Sequence, residues 1–374
     1  MALVLTEDQE LIAKTARDFV DEESPIARMR ALRDARDEKG FSPELWKQMA
    51  ELGWLGIPFP EALGGAGMAH ADLALVLEML GRNLAPEPLL ANVLMGGQAL
   101  LLAGDEAQQQ EWLAPMIKGE KLLGLAYAEA KSRYATNKIE AKAEKSGDGW
   151  SLSGEKVHVL GGHVADALVV SALTPGGVSL FVVPTDAAGV SRERLWRLDS
   201  QGAANLKLVD VSVPAESMLG AEGQGGPIVD EVIDRATVGL CAEMLGGMTC
   251  AFELTIDYLK EREQFETKIG SFQGLQHRAA ELFMEIELAR STVMAASRGI
   301  DDGDPDLPRL VSLAKARCSD AYLLAGNEGV QMFGGVGMTD EYDIGLYLKR
   351  ARAAELSFGD SGYHRDRWAR LSGY

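Results

Sequence analysis

Between Ala236 and Phe252 the chain reads ATVGLCAEMLGGMTCAF, and Glu243 is the only charged residue in it. Apolar surroundings oppose the ionisation of a carboxylate, a property wanted in a base that takes protons from carbon. The same residue can instead pair with a cation from another helix, since structural ion pairs also occupy such positions. Both readings stand on the sequence. A second chemically rich stretch begins at Arg262, where REQFETKIG supplies a guanidinium, Gln264, Phe265 and a glycine in one short polar link. That mixture is costly to bury unless something polar and partly aromatic occupies the space.

These residues need elements to hold them. A helix opening near Pro227 carries Glu243 and runs to Lys260, and the spacing of Phe272, Leu275, Ala279, Ala280, Phe283 and Ile286 predicts an amphipathic helix after the link. Further helices are expected over 308–332, 342–352 and 361–370, with Asp360 as the cap of the last. At the other end, Thr6 and Ser42-Pro43 read as helix starts, and Ala71–Arg82 as a strongly apolar helix. From about Leu122 to Gly226 the pattern changes to short apolar runs bounded by glycine, aspartate and proline, which suggests an antiparallel barrel or sandwich. The expected organisation is therefore an α+β chain of three parts: helical over 1–120, stranded over 121–226 and helical again over 227–374.

The whole chain, 374 residues with 47% apolar content, can bury more than one core. Its formal net charge of -19 repels nucleic acid and anionic lipid. No run of eighteen apolar residues predicts a membrane span, and MALVLTEDQE lacks the basic start and apolar core of a secretory signal. A cytoplasmic location is expected. Cys241, Cys250 and Cys318 have no metal-ligand spacing and read as small buried hydrophobes in a reducing compartment, and no metal site is predicted.

The order of the motifs resembles a known family. R-x-Q-F-x-x-x-I-G-x-F-Q-x-x-x-H from Arg262, followed by Gln331-Met332-Phe333-Gly334-Gly335-Val336-Gly337, is similar to the signature of the acyl-CoA dehydrogenases, and the likeness runs along nearly the whole chain. It implies a helical N-terminal domain, a middle antiparallel β-barrel and a C-terminal four-helix bundle. It also implies FAD, an acyl-CoA substrate, an electron-transfer flavoprotein as electron acceptor, and a homotetramer or a heterotetramer of two unlike chains. On this likeness Arg262 faces the flavin pyrophosphate, a forked donor against anionic oxygens. Gln264, Phe265, Gln273 and Gln331 line the same cofactor, and Gly335 lets backbone approach it closely.

The reaction implied is α,β-dehydrogenation of a thioester: a carboxylate takes the α-proton while the β-hydride passes to the flavin. Here the chain departs from the pattern. The usual base aligns with Phe358 in Ser357-Phe358-Gly359-Asp360-Ser361, and the alternative base aligns near Ala236. Glu243, two helical turns beyond Ala236, and Asp360, beside the usual position, are the catalytic candidates that remain. In the strand region, Ala128 and His158-Val159-Leu160-Gly161 replace hydroxyl-bearing motifs, and Thr237 replaces an arginine that meets CoA, with Lys131 and Arg133 nearby as substitute charge. Contacts credited to a neighbouring subunit are thus kept better than those credited to the chain's own middle domain. This suggests one subunit of a heterotetramer, acting on branched, cyclic or steroid-side-chain thioesters. The rival reading is a non-catalytic structural partner subunit.

Overall fold

A computed structural model of the chain describes residues 4–374. These divide into two compact units. One holds the chain up to Ala31 with Ala69–Ala85 and Thr237–Tyr374, and the other holds Leu32–Met68 and Pro86–Ala236.

The first unit is helical. Helix α1 (Glu7–Glu23) starts on a capping box in which the Thr6 hydroxyl accepts from the Gln9 amide and Gln9 reaches back to Thr6. Helix α2 (His70–Arg82) has no side-chain cap of its own on Ala69 Cβ. Instead the Asp301 carboxylate accepts from the amides of His70 and Ala71 at 2.7 and 3.0 Å. The long helices α3 (Gly225–Glu261, of this unit from Thr237 on), α4 (Gln273–Asp301) and α5 (Leu307–Phe333) follow, then the shorter α6 (Ile344–Leu356) and α7 (Ser361–Leu371). The last of them, α7, starts after the break at Ser357–Asp360, where the sequence placed it.

Where α2 crosses α3 the two backbones nearly touch. A Cβ on Gly81 would lie 2.0 Å from the Glu243 carbonyl oxygen, and one on Gly246 would lie 1.8 Å from that of Glu78. Only glycine permits this approach. The face predicted for α4 is partly displaced. Leu282, Ile286, Ala289, Val293 and Ala296 are buried, whereas Phe272 and Phe283 are 39% and 53% exposed. The helix carries apolar residues on two faces, and the chain itself covers one of them.

The second unit contains the sheet. Its strands are β1 (Leu123–Ala126), β2 (Lys142–Ser146), β3 (Gly149–Leu160), β4 (Ala167–Thr174), β5 (Gly177–Pro184), β6 (Val190–Trp196), β7 (Gly202–Pro214) and β8 (Met218–Leu219). They are ordered β6-β7-β3-β2-β4-β5-β8, with β1 added alongside β4. This corrects the expected closed antiparallel barrel. The sheet stays open at β6 and β8, and β1 runs parallel to β4 because it enters from a helical segment and not through a hairpin. Period-two alternation puts Trp150, Leu152, Leu206, Leu208, Val170 and Phe181 into one core, with Trp150 and Phe181 edge to face at 5.6 Å. Edge strand β6, VSRERLW, is charged, and Arg192 turns inward to donate to the carbonyls of Gly162 and Ala165. Among the described residues no helix is long and apolar enough to cross a membrane.

Candidate active site

The polar link predicted at Arg262 is a β-hairpin, β9 (Glu263–Gln264) against β10 (Thr267–Lys268). Its two-residue turn places Phe265 and Glu266 at φ +53° and +61°. Both positions of such a turn demand left-handed backbone, which asparagine and glycine enter easily and phenylalanine does not. The hairpin thus keeps a strained aromatic at its tip, and Phe265 is 89% exposed. Arg262 and Gln264 beside it are exposed as well, and so is Gln273 at the first position of α4.

An aromatic cluster fixes where this hairpin leaves the helices. Tyr258, near the end of α3, stacks on Phe333, the last residue of α5, at 4.2 Å, and Tyr342 meets both rings edge-on. The stack joins the ends of α3 and α5, so the hairpin and the Gly334–Met338 turn start from neighbouring points. Gln331 is exposed two residues before Phe333. Gly334 adopts φ +68° and ψ -144°, and a Cβ at either Gly334 or Gly335 would meet nothing within 4 Å. The space over this backbone is open. One guanidinium, three carboxamides, one exposed aromatic and two bare glycines suit a large, anionic, partly aromatic ligand.

The two carboxylate candidates sit elsewhere and are both engaged. Glu243 Oε1 accepts from Arg350 Nε and Nη2 at 2.8 and 2.6 Å, with side-chain exposures of 13% and 7%. This is the helix-to-helix pairing that the sequence left open. Asp360 accepts from the Tyr363 amide at 2.8 Å and caps α7. The hairpin, the α5 end and the two carboxylates all belong to the helical unit, but the carboxylates do not join the exposed cluster. Phe358 is half-buried at φ +59°, with Gly359 behind it at φ +121°. Ala236 and Thr237 are buried, and His158 is exposed at φ +52° within a bulge of β3. Lys131 meets Glu140 at the surface at 3.1 Å.

Two buried lysines escaped the sequence reading. Lys156 is fully buried and donates to Glu129 at 2.7 Å and to Ser171 at 3.0 Å, and burial lowers its pKa to about 8 against the pull of Glu129. Glu129 in turn accepts from the amides of Glu140 and Ala141, which ties down the 130–140 loop. Lys315 is also fully buried, and its ammonium donates to the carbonyls of Glu355 and Gly359 at 2.9 and 2.7 Å and to Ser319 at 3.2 Å. Spacing could have revealed both. Lys156 shares the inward parity of Trp150 and Leu152, and Lys315 falls in the stripe Val311, Cys318, Tyr322.

His364 provides a pH readout of the Phe358 loop. Burial, and behind it the Lys315 and Arg367 cations, push its pKa down to about 3, and its Nε2 meets the Phe358 carbonyl at 3.1 Å. The carbonyl accepts, so Nε2 carries the proton of a neutral ring. The unfolded chain takes up a second ring proton near pH 6.5 while the folded chain does not. Stability contributed by neutral His364 is therefore lost as pH falls from about 6.5 towards 3, by about 1.4 kcal/mol per unit at the steepest. Chemical denaturation at pH 6.5, 5.5 and 4.5 is expected to show this slope in the native protein and a shallower one in His364→Gln.

Comparison with known proteins places these features in a family context. Residues 6–120, 124–211 and 223–372 match the models described as the N-terminal, middle and C-terminal domains of acyl-CoA dehydrogenase. The chain is 30% identical to the probable acyl-CoA dehydrogenase YngJ of Bacillus subtilis, over 98% of both chains. Among solved structures, the ChsE4–ChsE5 complex from Mycobacterium tuberculosis is 27% identical with a TM-score of 0.91, covering 100% of this chain and 99% of that one. A variant of the Tcur3481–Tcur3483 steroid ACAD is 30% identical with a TM-score of 0.88, covering 98% of each.

Proposed function

The chain belongs to the acyl-CoA dehydrogenase family, and from that premise we propose that it takes part in FAD-dependent α,β-dehydrogenation of an acyl-CoA thioester as one subunit of a heteromeric enzyme. One observation carries the heteromeric part. The exposed cluster at the hairpin is kept whole, while the positions for a base in this chain hold Phe358 and Ala236 and the nearby carboxylates Glu243 and Asp360 are each engaged.

The open backbone at Gly334–Gly335 and the exposed donors fit a dinucleotide. Arg262 would meet the pyrophosphate, Gln264, Gln273 and Gln331 would hydrogen-bond polar edges, and Phe265 would offer a flat apolar surface. FAD, when bound, supplies a hydride acceptor. This chain's part is to grip and orient, and to exclude water with a face that a second chain covers. The α-proton goes to a carboxylate outside the Glu243–Arg350 pair, contributed by the partner. Branched, cyclic or steroid-side-chain thioesters are the proposed substrates, a choice supported by the likeness to the steroid ACAD. Electrons would leave to an electron-transfer flavoprotein.

Co-purification with its natural partner tests this. The pair is expected to be yellow and to dehydrogenate acyl-CoA, and Arg262→Ala is expected to weaken FAD retention about 10- to 100-fold, read by flavin absorbance after gel filtration. A fully active FAD-loaded homotetramer of this chain alone would refute the heteromer. A colourless pair that leaves added FAD unbound would refute the cofactor reading.

A further inference from the structure

The loop Ser357–Asp360 between α6 and α7 is short, yet three separate groups hold it. Lys315 Nζ reaches from inside the helices to the carbonyls of Glu355 and Gly359, on either side of Phe358. The His364 ring fixes the carbonyl of Phe358 itself, and the Asp360 carboxylate caps the helix that follows. Between these anchors Phe358 is forced to φ +59°, a conformation phenylalanine avoids, and its side chain stays half-buried. Strain of this kind persists only where surrounding bonds over-determine the backbone, and it concentrates at ligand clamps and active sites. A fully buried ammonium spent on three backbone or hydroxyl acceptors, with no carboxylate at hydrogen-bond distance among the described contacts, is a costly way to fix a loop. A well-packed apolar residue would serve stability alone.

We propose that Lys315 and His364 are positioning residues that clamp the 357–360 loop so that the Phe358 ring forms a fixed wall against the acyl chain of the thioester. Neither touches substrate. They act through the backbone on each side of residue 358, and Phe358 is the specificity-determining contact. The inference rests on the proposed reaction and on the resemblance that aligns Phe358 with the usual base, the group beside the reacting carbons. A fixed ring in place of an ionisable base makes the wall apolar and rigid, which suits a bulky acyl group that this chain orients and the partner's carboxylate deprotonates.

Lys315→Met removes the ammonium and keeps the length of the side chain. In the FAD-loaded enzyme with its natural partner, amide exchange at 357–361 is expected to rise about tenfold or more while the 263–268 hairpin is unchanged. Phe358→Ala, which removes the ring and leaves the clamp, is expected to lower kcat/KM for a bulky thioester about tenfold with little change in exchange. Lys315→Met should lower it to a similar extent, and the double variant should be no worse than the more impaired single. If Lys315→Met does not fold, His364→Gln, which strips the second anchor, is read the same way. Multiplied effects in the double variant, or loop exchange unchanged in whichever single variant folds, overturn the clamp. An unmutated pair that turns over no thioester removes the proposed reaction instead, and the exchange measurement still decides whether the loop is clamped.

Discussion

Replacing Glu243 with alanine is expected to destabilise the protein by about 3–5 kcal/mol, because it leaves the Arg350 guanidinium buried without its counter-charge. The loss should be nearly independent of pH between 6 and 10, since arginine does not shed its proton in that range. Reversing the damage requires removing both charges. The double replacement Glu243→Leu with Arg350→Met is expected to recover most of the stability, because well-filled apolar pairs often match or exceed a buried ion pair. Denaturant titration of Glu243→Leu, Arg350→Met and the double variant gives the coupling directly. A further variant, Glu243→Gln, separates the two readings of Glu243 that its sequence context allowed. If turnover per folded enzyme survives Glu243→Gln, the residue holds helices α3 and α6 together; if turnover disappears while folding is intact, it takes the proton.

The second large effect belongs to Glu129, and its pH dependence has the opposite character. Glu129→Gln is expected to cost about 3–5 kcal/mol at pH 7, since Lys156 is then buried as a charge without a partner. Lysine, unlike arginine, can respond by losing its proton. Burial already lowers the Lys156 pKa to about 8, and without Glu129 it falls further. The folded chain then releases this proton at a lower pH than the unfolded chain, whose lysine titrates near 10.4. Stability rises with pH wherever the unfolded state holds more protons, so the Glu129→Gln defect should shrink between pH 7 and 9. A defect that stays constant over that window would show that the damage lies in the lost acceptors for the Glu140 and Ala141 amides instead.

Much of the architecture was legible because periodicity is written locally. The helical ends, the stranded centre, the Thr6 and Asp360 caps and the start of the late helices all follow from side-chain spacing and capping chemistry. The closure of the sheet was not legible. Whether β6 meets β8, and whether β1 pairs parallel to β4, depends on how a distant segment enters the sheet, and no local pattern carries that. In the same way, the apolar stripe on α4 could be seen, but not which of its two apolar faces the chain would cover.

The site divides along the same line. Arg262, Gln264, Phe265, Gln273, Gln331 and Gly335 stand in two compact motifs, and the structure sets those motifs side by side through Tyr258 and Phe333. The partners of Glu243 could not be read, because Arg350 lies more than a hundred residues away and only tertiary packing brings it near. The lysines were readable in principle from their place in apolar stripes. What spacing could not give was their acceptors: Glu129 and Ser171 reach Lys156 from distant strands and loops, and two of the three acceptors of Lys315 are backbone carbonyls, which leave no mark in residue types.

The open edge of the sheet has a consequence for how the chain behaves at high concentration. A row of free amides and carbonyls along β6 would invite a second molecule to add its own strand there. Arg192, Glu193 and Arg194 give that margin charges that alternate in sign, and Arg192 is already committed to carbonyls of its own unit. Stripping these charges would remove the guard, and with it the bonds of Arg192 to Gly162 and Ala165 and of Arg194 to Asp37. The resulting protein should remain active and become prone to ordered self-association.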